Sequence, residues 1–267
     1  MKLYRVAPTT ESLDLDTPAA RDTLRDWFRP APGWTWALVS TPGGDTIDAD
    51  GASRALSNPV DRAVLTSMRN QSEAVVLGGA TLRAENVPVP TSGPLVVVSR
   101  SGDLRDHRIP EKSLRPDSVW VVTPEGLSHD PTEFFPEGVA IHLTTPGTDG
   151  VDAVSLRDVL ASRGVTQVLL EAGRDLAGQC LDAGIVHSLT LTLTGAPRSD
   201  THPPLPWWKH EWGEWSAADV FTDDMRFLYL RYHQVHVDSV WSARSTKRLG
   251  SSGLDLLYER PAEFPAP

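Results

Sequence analysis

The chain has one cysteine, Cys180, in 267 residues, so no internal disulfide forms and no cysteine cluster can hold zinc. No apolar run reaches the roughly 20 residues that a membrane-spanning helix needs. The start, Met1-Lys2-Leu3-Tyr4-Arg5-Val6, lacks the apolar core of a signal peptide. These readings point to a cytoplasmic protein with no membrane contact. Lys and Arg total 25 against 35 Asp and Glu, a net charge of −10. The cations form no basic run, which argues against nucleic acid as a partner. Neither the dinucleotide pattern G-x-G-x-x-G nor a Walker loop occurs.

What is present suits a folded domain. Hydrophobic residues make up 40% and charged residues 22%, enough for a sizeable core. The length suggests one large domain with appended segments. Residues 1–33 carry Pro8, Pro18, Pro30 and Pro32 around one amphipathic run from Ala19 to Phe28. They read as an N-terminal arm with a short helix. Residues 34–237 read as the main domain. Residues 238–267, rich in Ser, Arg, Gly and Pro, read as a C-terminal tail.

Within the main domain, short apolar runs alternate with helical patterns. Trp36–Val39, Ala74–Leu77, Leu95–Val98, Val119–Val122, Val139–Leu143 and Val168–Leu170 read as strands bounded by Gly, Pro or Ser. A helix is expected from Pro59, capped by Asn58, with Val60, Ala63, Val64 and Met68 on one face. Ser155, with Asp158 three residues on, is the expected cap of another helix that Gly164 stops. A third runs from Asp175 to about Asp182. Leu189, Leu191 and Leu193 alternate with threonines, as in a strand covered on one face, and Met225–Val237 reads as an edge hairpin strand. The fold class is therefore α/β, with a layered and mostly parallel sheet.

In such sheets ligands bind beyond the carboxyl ends of the strands. Three of these ends carry suitable residues. Gly78-Gly79-Ala80-Thr81, followed by Arg83, offers bare backbone, a hydroxyl and a charge, although a Gly-Gly turn read alone is most often only a turn. Ser99-Arg100 follows the next strand, and Glu171-Ala172-Gly173-Arg174 opens a helix.

These segments resemble one family in order and spacing. The matching residues are Asp50-Gly51 to Ser57, Pro59-Val60-Asp61-Arg62 to Met68-Arg69, and Val76 to Glu85. Val168 to Gly173 with Leu176-Ala177-Gly178, and Leu181 to Leu189, complete the set. Across about residues 34–237 the chain is similar to the pyrimidine reductase domain of riboflavin biosynthesis, a relative of dihydrofolate reductase, and most of all to stand-alone pyrimidine reductase-like proteins. The resemblance implies a dihydrofolate reductase-like three-layer α/β/α fold with a central, mostly parallel mixed sheet. It implies an NADPH-dependent oxidoreductase that reduces the ribosyl group of a phosphoribosylamino-pyrimidine, 5-amino-6-(5-phosphoribosylamino)uracil, to a ribityl group. It further implies a small phosphorylated pyrimidine as partner and a homodimer.

By the same resemblance, Gly78, Gly79, Ala80 and Thr81 would hold the cofactor's phosphate and ribose region. Ser99 and Arg100 would read the adenosine 2′-phosphate, and Ala172, Gly173, Arg174 and Asp175 would face the pyrophosphate. Arg69, Ser53 and Ser40 would bind substrate. Glu171 would sit near the nicotinamide as the catalytic group.

The chain also departs from the family. The family's first strand ends Ser-x-Asp-Gly, whereas this chain has Ser40-Thr41-Pro42-Gly43, with Asp45 three residues past the proline. Glu85-Asn86-Val87-Pro88 replaces the family's acidic-proline segment, and Ala172 replaces a glycine. Pro42 and the segment after Glu85 motivate an alternative, a cofactor-binding or regulatory module that kept the fold and lost catalysis.

Other features have plainer readings. Cys180 reads as a small core residue. His233 and His236 would face opposite sides of a strand, so no metal is assigned. The tryptophans at 207, 208, 212 and 215 read as a loop or subunit anchor.

Overall fold

Within residues 1–48, 51–194 and 215–234, which the computed structural model describes, the chain builds its elements in an alternating order. It runs β1 (Lys2–Ala7), β2 (Glu11–Asp14), α1 (Ala20–Trp27), β3 (Trp34–Ser40), α2 (Pro59–Arg69), β4 (Ala74–Gly78), α3 (Gly79–Ala84) and β5 (Leu95–Val98). It continues with β6 (Val119–Pro124), β7 (Ala140–Thr145), α4 (Ala153–Ser162), β8 (Val168–Leu170), α5 (Arg174–Asp182), β9 (Val186–Leu193), β10 (Trp215–Asp223) and β11 (Leu228–Gln234). Residues Met1–Gln234 form one compact unit. No helix among the described residues is long and apolar enough to cross a membrane.

One sheet holds all eleven strands, in the order β2-β1-β10-β11-β9-β3-β8-β4-β5-β6-β7. From β9 through to β7 the pairing is parallel. From β9 the other way it is antiparallel. The central strands are buried on both faces, which is why they read as unbroken apolar runs. Val75, Leu77, Leu95 and Val97 face a cluster that includes Leu24 and Trp27 of α1 and Val64 and Met68 of α2. Their neighbours Ala74, Val76 and Val96 face a second cluster with Leu156 and Leu160 of α4 and Ala177 and Cys180 of α5. The result is the expected α/β/α sandwich.

Local chemistry sets the helix ends. Asn58 accepts the Asp61 backbone N–H at 2.8 Å, and Pro59 occupies the first helical position. The cap of α4 is Asp152, not Ser155. Its carboxylate accepts the Ser155 N–H at 2.9 Å, which places Ser155 inside the first turn. An aspartate three residues before a serine satisfies the same orphan donor.

Three expectations give way to sheet pairing. The segment 1–33 contributes β1 and β2 as well as α1, and β1 pairs with β10. Met225–Val237 was expected at an edge, yet β11 lies inside the sheet between β10 and β9. β9 was expected to be covered on one face, but Ser188, Thr190 and Thr192 are as buried as its leucines, and the Thr192 hydroxyl donates to Asp61 of α2 at 2.7 Å. Trp207, Trp208, Trp212, His236 and the tail 238–267 lie outside the described residues.

Candidate active site

Because β4, β5 and β8 are parallel neighbours, or neighbours of neighbours, their carboxyl ends bring Gly78, Ser99 and Glu171 to the same edge of the sheet. Gly78 ends β4 and Gly79 opens α3 directly, so the turn carries almost no loop. A Cβ built on Gly78 would meet nothing within 4 Å. Gly173, the N-cap of α5, has the same open space. Their φ values are −87° and −65°, so neither backbone conformation requires glycine. Open room over two glycines at the strand ends fits the close approach of an extended cofactor.

The other cofactor candidates differ in how far they are committed. Ser99 is buried, and its Oγ accepts the Gly102 N–H at 3.1 Å. It therefore shapes the loop after β5. Arg100 is exposed and has no hydrogen-bond or ion-pair partner among the described residues. Thr81 is half-buried and Ala80 exposed. Ala172 is buried, while Arg174 lies 3.7 Å from the exposed Asp175. Arg83 donates to the Asp103 carbonyl at 3.0 Å and ties α3 to the loop after β5.

The expected substrate residues divide. Arg69, in the last turn of α2, donates from Nε to Glu171 Oε1 at 2.7 Å and from Nη2 to Glu171 Oε2 at 2.5 Å. Both side chains are largely buried, at 16% and 11% exposure. Burial works to lower the Arg69 pKa, but the charge and hydrogen bonds of Glu171 outweigh it and the net direction is upward. The residue expected to hold a substrate phosphate is thus already occupied by the residue expected to act near the nicotinamide. Ser53 is half-buried, and its backbone N–H donates to Glu85 Oε1 at 2.9 Å. Ser40 has no exposed surface, and its hydroxyl donates to the Thr41 carbonyl at 2.8 Å. It holds the loop and presents nothing to a ligand.

Sequence reading missed two carboxyls of this cluster. Glu85, at the end of α3, and Asp61, on α2, both act on the Arg69 charge. Asp61 is 2% exposed. Asp61 reads as an ordinary first-turn acid complementing the helix dipole, and Glu85 as a surface residue after a short helix. Contacts between distant segments, Asp61 with Thr192, Arg69 with Glu171 and Ser53 with Glu85, bring them together.

Asp45 lies in the turn after β3. Its Oδ2 accepts the Thr41 hydroxyl at 3.0 Å, and it is buried within its own turn. Pro42 is exposed. The buried Cys180 thiol is pushed up to about 12 by burial, in keeping with a core role. A groove of about 700 Å³ lies along the other side of α2, against α1, and touches none of the expected site residues.

The model of the RibD C-terminal domain matches residues 39–196, more than half of the chain. The chain belongs to the RibD C-terminal domain family. The riboflavin biosynthesis protein RibD of Chlamydia pneumoniae is 23% identical over 190 residues, covering 67% of this chain and 50% of that protein. The chain therefore spans about half the length of this curated relative.

Among solved structures, a pyrimidine reductase-like protein from Corynebacterium diphtheriae superposes with a TM-score of 0.61 at 17% identity, over 77% of this chain and 92% of its own. A riboflavin biosynthesis reductase from Saccharomyces cerevisiae gives 0.58 at 16% identity, over 76% and 90%. A deaminase/5-amino-6-(5-phosphoribosylamino)uracil reductase from Thermotoga maritima gives 0.56 at 19%, over 76% and 56%. The fold is that of the RibD-type, dihydrofolate reductase-like reductases. The family match ends before β10 and β11 and begins after β1, β2 and α1, so the antiparallel wing of the sheet lies largely outside it.

Proposed function

We propose that the chain is an NADPH-dependent reductase of a phosphoribosylamino-pyrimidine, 5-amino-6-(5-phosphoribosylamino)uracil or a close analogue. The observation that carries this reading is the convergence of Gly78, Ser99 and Glu171 at one sheet edge, with open room over Gly78 and Gly173. Gly78, Gly79, Ala80 and Thr81 would hold the central part of NADPH, and Gly173, Arg174 and Asp175 at the start of α5 its pyrophosphate. Arg100 would meet the 2′-phosphate, on the loop that Ser99 shapes. When bound, the nicotinamide supplies a hydride, which the fold itself cannot.

The chain's own residues then have two tasks. Glu171 accepts hydrogen bonds from the substrate's pyrimidine or opened sugar, or relays a proton to it, from a carboxylate oriented by Arg69. Arg69 acts in this reading as the group that orients Glu171, since its Nε and Nη2 are both engaged there. Orientation of this kind lowers the entropic part of the barrier. A homodimer fits the same reading. Leu191, Leu193, Leu230 and Tyr232 belong to the cluster on the α5 side of the sheet, opposite α2.

The second reading, a module that binds cofactor without turning over, is favoured by one observation: Pro42 stands where the family has an aspartate, while Asp45, three residues on, is buried and accepts the Thr41 hydroxyl. Mixing the chain with NADPH and the deaminated pathway pyrimidine separates the two. Substrate-dependent loss of absorbance at the nicotinamide band is expected, and cofactor binding without that loss would favour the module.

A further inference from the structure

Asp61 is a fully buried carboxyl with no arginine or lysine paired to it among the described residues. Its Oδ2 accepts the Ser57 hydroxyl at 2.7 Å, and its Oδ1 accepts the Thr192 hydroxyl, also at 2.7 Å. Ser57 ends the short turn that starts at Ser53, and Thr192 lies in β9. The Asp61 N–H donates to Asn58 Oδ1, and Asn58 Nδ2 donates to Asp223 Oδ2 at 2.7 Å. Tyr229 donates to the same Asp223 oxygen at 2.8 Å. A chain of hydrogen bonds thus runs from the β10–β11 hairpin, through the cap of α2 and the Asp61 backbone, to the strand beside β3.

We propose, resting on the reductase reading, that Asp61 is a positioning residue: it ties the Ser53–Ser57 rim, the first turn of α2 and β9 into one unit, and thereby sets where Arg69 and Glu171 meet the substrate. The geometry supports this on two counts. Arg69 is two turns further along the same helix, so a shift of the first turn carries it along. The Ser53 N–H binds Glu85, so the rim that Ser57 anchors is joined to another carboxyl of the cluster.

A buried carboxyl that keeps its charge costs far more than a buried amide or hydroxyl, so this setting favours the protonated form. Burial pushes the Asp61 pKa upward, the Ser57 and Thr192 hydroxyls counter it, and the negative Glu171 raises it further. The charged or titratable groups around it are Glu171 after β8, Arg62 and Arg69 on α2, Glu85 after α3, and Asp223 and Tyr229 on the hairpin one hydrogen bond away. With a proton on, the carboxyl donates to one of its two hydroxyls and that bond reverses direction. With the proton off, a second negative charge lies under Glu171.

The sign follows from linkage. A carboxyl whose folded-state pKa is raised gives its full stabilisation below the ordinary carboxylate range and loses it as pH rises through the raised value. Asparagine at this position has an amide that can make both contacts and never ionises.

The test compares the wild type with Asp61→Asn, Asp61→Ala and Thr192→Val, in thermal unfolding from pH 5 to pH 9 and in steady-state kinetics over the same range. The unfolding temperature of Asp61→Asn should rise relative to wild type as pH rises. Asp61→Ala should lower kcat by roughly tenfold or more, with the KM for NADPH moving less than about twofold. Asp61→Asn should restore most of that loss. Thr192→Val keeps the shape of the side chain and should lower kcat several-fold even if Asp61→Ala does not fold.

No recovery of kcat in Asp61→Asn, or wild-type kcat in both Asp61→Ala and Thr192→Val, overturns the proposal. A wild type that turns over no pyrimidine removes the reductase reading and the positioning role with it. The unfolding series needs no substrate and still reports whether Asp61 holds its proton.

Discussion

The Arg69 guanidinium and the Glu171 carboxylate meet at two points, at 2.7 and 2.5 Å, between a helix and a strand end 102 residues apart in sequence. Two parallel donor–acceptor contacts fix the carboxylate plane as well as its place. The pair lies on the α2 face of the sheet, since Glu171 follows Leu169 of that face by two residues. Each member therefore depends on the other for compensation in a mostly dry setting.

Replacing Glu171 with Gln should lower turnover far more than NADPH affinity, because the carboxylate serves the substrate end of the site. It should also destabilise the fold, by roughly 1–3 kcal/mol, because Arg69 keeps its charge and loses its partner. Denaturant unfolding beside steady-state kinetics checks both parts. Equal losses of cofactor binding and turnover would place Glu171 at the wrong end.

Arg100 has no hydrogen-bond or ion-pair partner among the described residues, so its removal should cost the fold little. Arg100→Ala is expected to weaken NADPH by about ten- to a hundredfold, the worth of a charge-assisted contact of roughly 1.5–3 kcal/mol. NADH, which lacks the 2′-phosphate, should change by less than about twofold. Dissociation constants for both cofactors at one ionic strength decide the matter, and parallel losses would make Arg100 a loop residue only.

Gly78→Ala separates folding from binding. The φ of −87° and the open space around a new Cβ admit alanine without strain, so stability should hold or rise by up to about 1 kcal/mol. NADPH affinity should fall, because the methyl group enters the room assigned to the cofactor. Titration and thermal unfolding of the same sample measure both, and unchanged affinity would move the cofactor away from this turn.

The dimer is tested by sedimentation at micromolar concentration, where a species of twice the chain mass is expected. Leu230→Glu, on the face lined by Leu191 and Tyr232, should shift it to monomer. A clean wild-type monomer would remove the dimer.

How much of this was legible in the sequence depended on the range of the interaction. The start of α2 was readable because Asn58 and Pro59 act within one turn. The central strands were readable because two-sided burial leaves plain apolar runs at β4 and β5. β1 and β10 were not, since strands with polar or exposed residues on one side take their place from pairing partners, and these two lie more than 200 positions apart, as Arg5 and Phe221 do; β2 takes its place from β1. Gly78, Ser99 and Glu171 were found at the strand ends because topology alone puts them there. Their partners were hidden: nothing local to Arg69 announces Glu171, and nothing near Asp61 announces Thr192. A serine before an apolar run was taken for the cap of α4 although Asp152 stood three residues earlier, because both residue types satisfy the same rule.

The reductase reading is tested most directly by following the hydride. NADPH carrying deuterium at the transferable C4 position is incubated with the chain and the deaminated phosphoribosylamino-pyrimidine, and the product is analysed by mass spectrometry and NMR. One deuterium at C1 of a ribityl group, one per NADPH consumed and lost with Glu171→Gln, is the expected result. Bound cofactor with an unlabelled, unreduced ribosyl group would contradict it.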